Sequence, residues 1–355
     1  MLEIAELLKK SGTSPPFLND PLRGNYPLNF KRVIARRRCK TTWQYSNLRF
    51  HVCRILQPLF SQSGDGHKAN EVIEVSPDRE KHQEREGGAS SKKRATITHS
   101  SILAARSKAV IDIDAADAGN ALAAVEYVED LYKYYKETEE ENKVFKYMVL
   151  QQEMTPRMRS ILIDWLIDVH HKFELSPETL YLTVNIIDRY LAKETIKRKE
   201  LQLLGISAML TASKYEEIWA PEVNDLVMIT DKAYSHEEIL TMEKSILRVL
   251  GWCLTVPTPY VFLLRFIKAS AEDLMKSEQT VRFLAKLGLT SCEMLVYFLA
   301  ELGLLSYEVM VRFRPSMFAA AAVYVARCAI GVEPRWNEIL RMHTGYEERE
   351  LRYIN

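Results

Sequence analysis

Residues 158–173 read MRSILIDWLIDVHHKF, and no other stretch constrains the fold as strongly. Met158, Ile161, Leu162, Trp165 and Val169 recur at helical spacing and give one face a thick apolar stripe. Thr155 followed by Pro156 is the cap and first-turn pair that opens such a helix. Further helices can be placed by their ends. Ser176-Pro177 starts one that runs to about Leu191, and Ser235 with Glu238 forms a capping box for another that stops at Gly251. Between them, residues 201–218 are rich in Gly, Ser, Ala and Thr, which lets neighbouring helices approach closely and marks the centre of a bundle. Thr258-Pro259 opens the next segment, and residues 316–329 (SMFAAAAVYVARCA) form a second small-residue helix. From Ala121 onward no segment alternates strictly enough to make a sheet. The expected fold class is all-α, two bundles each wrapped around one small-residue helix.

Composition fits that picture. The chain has 355 residues, 47% hydrophobic and 27% charged, the profile of a soluble globular protein of one or two domains. A net charge of +1 provides no global pull toward nucleic acid or a membrane surface. Five cysteines, odd in number and without a C-x-x-C pair, in a chain with no secretory start, point to a reduced intracellular setting. The longest apolar run, residues 317–326, is far short of the roughly 20 that a spanning helix needs, and Arg327 closes it. Before residue 100 the character differs: Pro15-Pro16, a basic run at 31–40, a Gly/Ser patch at 61–66 and a charged tract at 78–86 leave no sustained period. Residues 1–109 are expected to be disordered, apart from a short helix at 2–10, with folded units at 110–255 and 256–355.

Several long strings carry a resemblance: residues 111–136, the 158–173 helix, TLYLTVNIIDRYL at 179–191, ASKYEEIWAPEVNDLVMITDKAY at 212–234, residues 242–270, and HTGY at 343–346. With them the chain resembles the cyclins, and within them the mitotic B-type cyclins of plants, over roughly residues 110–346. The resemblance implies two consecutive five-helix cyclin boxes, the second incomplete at its end. It also implies a function without catalysis or cofactor. The chain would be a regulatory subunit that forms a heterodimer with a cyclin-dependent serine/threonine kinase, activates it and helps recruit substrates at the G2/M transition.

Three constellations follow from the resemblance, each with a plainer reading from the residues alone. Lys214 and Glu243, on different expected helices, match a surface pair that hydrogen-bonds the kinase backbone; spacing alone would read each as an ordinary surface charge. Tyr215, Trp252 and Leu254 match the apolar rim around that pair, and Tyr127, Leu131 and Tyr134, on a leading helix expected over residues 121–136, match a segment that also touches the kinase. Met158, Ile161, Leu162, Trp165 and Asp168, with Leu201 and Gln202, match a groove that docks Arg-x-Leu type peptides, the acid taking the basic residue and the apolar side chains the leucine. Helix pattern alone favours core for the apolar members, because Ile163, Leu166 and Ile167 make the helix apolar almost all round. Arg159 and Asp188 match a buried ion pair, a structural role.

Other signals count for less. Asp164 and Asp168 lie one turn apart but have no His or Cys placed to complete a metal site, and His170-His171 point in different directions on a helix. No Gly-rich phosphate loop or nucleophile elbow is present. The basic clusters 31–40 and 92–94 read as nuclear address signals or as solvated tail, consistent with a place in nucleus and cytoplasm. The chain departs from the family in three ways. Residues 1–125 contain no Arg-x-x-Leu, and no Lys-Glu-Asn is present. FLAKLGLTSCE at 283–293 is nearly repeated as FLAELGLLSYE at 298–308, and the second copy is expected to fill the box helix. The chain ends at Asn355, soon after HTGY, so residues 320–330 are expected to be poorly covered. Two alternatives of other classes stand beside the regulatory subunit. One is a cyclin-fold transcription factor on DNA, disfavoured by the near-neutral charge and the missing C-x-x-C; the other is an inactive, shortened cyclin relative.

Overall fold

The computed structural model describes residues 112–274 and 292–352, and every regular element within them is helical. The expectations for residues 1–109, and for all but the last two residues of the first repeat copy, lie outside the described residues. The first bundle contains α2 (Pro156–Phe173), α3 (Pro177–Leu191), α4 (Leu201–Glu216), α5 (Val223–Ile229) and α6 (His236–Val249). Its ends follow the local chemistry: Thr155 accepts a hydrogen bond from the Met158 N–H, and Ser235 and Glu238 close a reciprocal capping box. Helix α4 is buried without a break from Leu203 to Ser213, with α2, α3 and α6 packed around it. Its small side chains make that possible. A Cβ built on Gly205 would lie 2.7 Å from Leu162 Cδ1, so the Leu162 side chain fills the space that a larger residue would occupy.

The second bundle repeats the plan with α7 (Pro259–Leu274), α8 (Cys292–Leu304), α9 (Tyr307–Arg312), α10 (Pro315–Ile330), α11 (Glu338–Thr344) and α12 (Glu348–Leu351). Residues of the second repeat copy do form the end of α8 and the start of α9, packed on α10. The expectation of a poorly covered stretch at 320–330 is corrected. Helix α10 is buried continuously from Phe318 to Arg327, because α7, α8, α9 and α12 surround it. Gly303 sets the closest of these approaches: an added Cβ would stand 2.4 Å from Cε2 and 2.6 Å from Cζ of Phe318. The ring is wedged in the core and has little room to retreat. Gly303→Ala is therefore expected to destabilise the chain by about 1–3 kcal/mol, the usual range for overpacking, read as a lower urea midpoint with unchanged slope.

The bundles interlock at the turn between α8 and α9. Arg159 and Ser160 of α2 donate to the Leu304 and Leu305 carbonyls at 2.9 and 2.6 Å, and the Tyr307 hydroxyl accepts from the Met148 N–H at 2.9 Å. The Tyr147 and Tyr307 rings meet edge to face, centroids 5.0 Å apart. The leading segment is not the continuous helix expected over 121–136. Ala124 takes a left-handed conformation (φ 44°), which splits the segment into two 3-10 turns before α1 (Val128–Thr138) begins. Helix α1 rests on the second bundle: the Tyr132 hydroxyl donates to the Val261 carbonyl at 2.8 Å, and its ring meets Phe262 edge to face.

Candidate functional site

Helix α4 carries its small-residue core to Ser213 and then surfaces at Lys214. The Lys214 ammonium lies 2.8 Å from both carboxylate oxygens of Glu243 on α6, a fork the spacing alone could not pair. The partners are unequally wetted: the Lys214 side chain is 47% exposed and that of Glu243 only 9%. A carboxylate set that deep is satisfied by a cation whose remaining face is open to solvent, so the pair is stored in hydrogen-bonding order with donor capacity left over.

Around it lies an apolar rim. Tyr215 is exposed, its hydroxyl 2.6 Å from Thr255 Oγ1, which ties the end of α4 to the strand of chain after α6. Trp252 is 73% exposed, held out by a left-handed backbone (φ 62°) just after Gly251. Leu254 is half-buried against the core and forms the base of the rim. Two further residues missed by sequence reasoning, Ile218 and Trp219, are 91% and 87% exposed in the loop that follows α4. The signal was present: two large apolar side chains fall between the end of α4 at Glu216 and Pro221, in a loop that no bundle covers.

The leading helix borders the same face. Burial, with the Glu216 carboxylate and the Tyr134 and Tyr215 phenols beside it, pushes the Tyr135 hydroxyl above its ordinary pKa. Tyr127, Leu131 and Tyr134 stay exposed along the outer side of α1. Clustered large apolar side chains on a surface mark binding sites more often than chance exposure does.

The second constellation is only partly assembled. Met158 and Trp165 are half-buried, Ile161 and Asp168 are exposed, and Gln202 is intermediate. Leu162 and Leu201, expected to line an open groove, are buried at 5% and 7% exposure. The reason is Gly205, whose missing side chain draws Leu162 inward against α4. What remains on the surface is a shallow apolar strip with an acid at one end.

The third pair is realised in full. Arg159 donates from Nε and an Nη to the two Asp188 oxygens, both at 2.6 Å, with side-chain exposures of 0% and 4%. Tyr147 donates to the same carboxylate at 2.7 Å, and burial together with that charge pushes its phenol far up. Among the described residues no group of three or more His, Cys, Asp or Glu is placed to hold a metal, and no helix is long and apolar enough to cross a membrane.

Fold and site together define an all-α protein of two repeated bundles, with a charge pair and an apolar rim on the first. The profile of the family "Cyclin, N-terminal domain" matches residues 130–255, and that of "Cyclin, C-terminal domain" matches residues 257–354. The chain is 55% identical over 300 residues to "G2/mitotic-specific cyclin-2" of Antirrhinum majus, an alignment spanning 80% of this chain and 65% of that protein. It is 45% identical over 356 residues to "Cyclin-B1-1" of Arabidopsis thaliana, spanning 94% of this chain and 79% of that protein. The chain spans about two thirds or less of several relatives' own length: 65% of "G2/mitotic-specific cyclin-2", 61% of "G2/mitotic-specific cyclin S13-6" of Glycine max and 64% of "Cyclin-B1-3" of Arabidopsis thaliana. Among solved structures, a viral cyclin from herpesvirus saimiri aligns with a TM-score of 0.46 and 21% identity, covering 57% of this chain and 82% of that one. The chain belongs to the cyclin family, and its relatives are mitotic cyclins of the B type.

Proposed function

We propose that the chain is a regulatory subunit, not an enzyme, that binds and activates a cyclin-dependent kinase and so controls entry into mitosis. The observation that carries this reading is the Lys214–Glu243 fork at 2.8 Å, with exposed Tyr215 next to Lys214 on α4 and exposed Trp252 just beyond the end of α6. Its remaining donors and acceptors suit a partner's backbone, and tryptophan and tyrosine are the residues that most often anchor interfaces. A kinase is active only when its Lys–Glu ion pair and activation loop are in place. A partner that packs better on that arrangement shifts the population toward it, and only differential affinity can do so. The interface is therefore large, about 2,000 Å² or more.

The strip formed by Met158, Ile161, Trp165 and Asp168 supports a second role for the same subunit, docking Arg-x-Leu type peptides of substrates or inhibitors, with Asp168 facing the basic residue. The basic runs at 31–40 and 92–94 support residence in the nucleus as well as the cytoplasm. The test is reconstitution: the full chain mixed with a mitotic cyclin-dependent kinase is expected to co-elute with it and to switch on histone phosphorylation. A folded chain that neither co-elutes nor activates would overturn the reading.

A further inference from the structure

The leading segment, residues 112–139, is tied to the second bundle ahead of α1, at Tyr132 in its middle and at its tail, yet it shows its tyrosines on the face of the first. At its head, the Asp114 carboxylate is buried at 7% exposure and receives the Arg265 guanidinium and, at 2.6 Å, the Lys268 ammonium. Lys268 reaches Asp117 as well, at 2.5 Å. Burial alone would raise the Asp114 pKa, but the hydrogen bonds from Lys268 and Arg265 hold it below the ordinary value. At its tail, the Glu139 carboxylate accepts from the Ser316 N–H at 2.9 Å and the Ser316 hydroxyl at 2.8 Å, and Lys136 donates to the Thr344 carbonyl. These ties join residues 151 to 208 positions apart, and none involves the first bundle. Between them, Tyr127 and Tyr134 stand 64% and 57% exposed.

An isolated helix of 11 residues is marginal in water, so α1 depends for its order on these ties together with the packing of Tyr132 on Val261 and Phe262. We infer that residues 112–117 are a strap, and that Asp114, Arg265 and Lys268 are positioning residues for kinase binding. The second bundle acts on the interface through them: it holds α1 in its bound place in advance, and the partner is spared the ordering of helix and tyrosines. The inference rests on the kinase reading above and deepens it, since it makes affinity depend on residues remote from Lys214.

The test uses the full chain and a mitotic cyclin-dependent kinase. Lys268→Glu places a third carboxylate beside Asp114 and Asp117. Lys268→Glu with Asp117→Lys restores an opposite-charge pair at the same spot. The single variant is expected to speed tryptic cleavage at Lys133 and Lys136 and to weaken kinase binding about ten-fold. The double variant is expected to recover both protection and affinity, a rescue that general destabilisation would not show. Three results would overturn the strap while Lys214→Glu still abolishes binding. These are faster cleavage with affinity unchanged, cleavage and affinity both unchanged, or weakened binding with α1 still protected, which would place Lys268 in the interface itself. Binding that survives Lys214→Glu would instead sink the kinase reading, and the strap's role with it.

Discussion

Arg159→Ala is expected to lower the stability of the chain by about 3–5 kcal/mol, because it strands the Asp188 carboxylate in a site where that group is 4% exposed. Loss of one partner, not the net worth of the pair, sets the size of the effect. The guanidinium also donates to the Leu304 carbonyl at 2.9 Å, so the substitution releases a tie between the bundles as well. For a chain of this size each kcal/mol moves the melting midpoint by about 2–4 °C, which puts the expected drop at about 6–20 °C. Thermal unfolding followed by circular dichroism checks it. A drop of under about 3 °C would mean that water reaches the carboxylate and that the pair is not desolvated as described. The effect separates stability from function: weak kinase binding by this variant reports partial unfolding, and the ion pair is no contact surface.

Lys214→Glu is the complementary case, with a larger effect on binding than on stability. The Lys214 side chain is 47% exposed and its loss leaves the core untouched, yet the reversed charge faces Glu243 and turns a fork of opposite charges into two carboxylates. Repulsion is relieved by swinging the new side chain into solvent, which leaves the buried Glu243 carboxylate without its cation at a cost of about 1–3 kcal/mol in folding. At the interface the same swing removes a charged donor and adds an unpaired acid where a partner's carbonyl must sit, a penalty of about 2–5 kcal/mol and a factor of roughly 30 to several thousand in affinity. The expected result is a variant with the helical signal of the parent and no measurable co-elution with the kinase. Normal binding would mean that the partner sits elsewhere.

The sequence revealed the two bundles because their central helices advertise themselves. Gly205, Ala208 and Ala212 in α4, and Ala319 to Ala322 in α10, can serve only close helix packing. Helix starts were legible wherever the cap is local, as at Thr155 and Ser235. The pairings of Lys214 with Glu243 and of Arg159 with Asp188 came from the resemblance, since each spans 29 residues and no periodicity links distant helices. Leu162 and Leu201 went astray for a subtler reason. Whether an apolar residue on a nearly all-apolar helix faces a groove or the core is decided by its opposite number, and Gly205 is legible as small but not as the neighbour of Leu162. The ties of the leading segment to Arg265 and Ser316 left no trace in the sequence, because a lone acid and its donors 151 or 177 residues apart follow no pattern.

The grip of Arg159 on Leu304 has a consequence in time. A chain is synthesised at about 5–20 residues per second, and the 145 residues between donor and acceptor take roughly 7–30 s to emerge. Throughout that interval the first bundle must hold an arginine that has Asp188 but still lacks its third native acceptor. Its surface around α2 stays open to the water and chaperones of the nascent state, and the first half of the molecule reaches its final form only when the second arrives to close it.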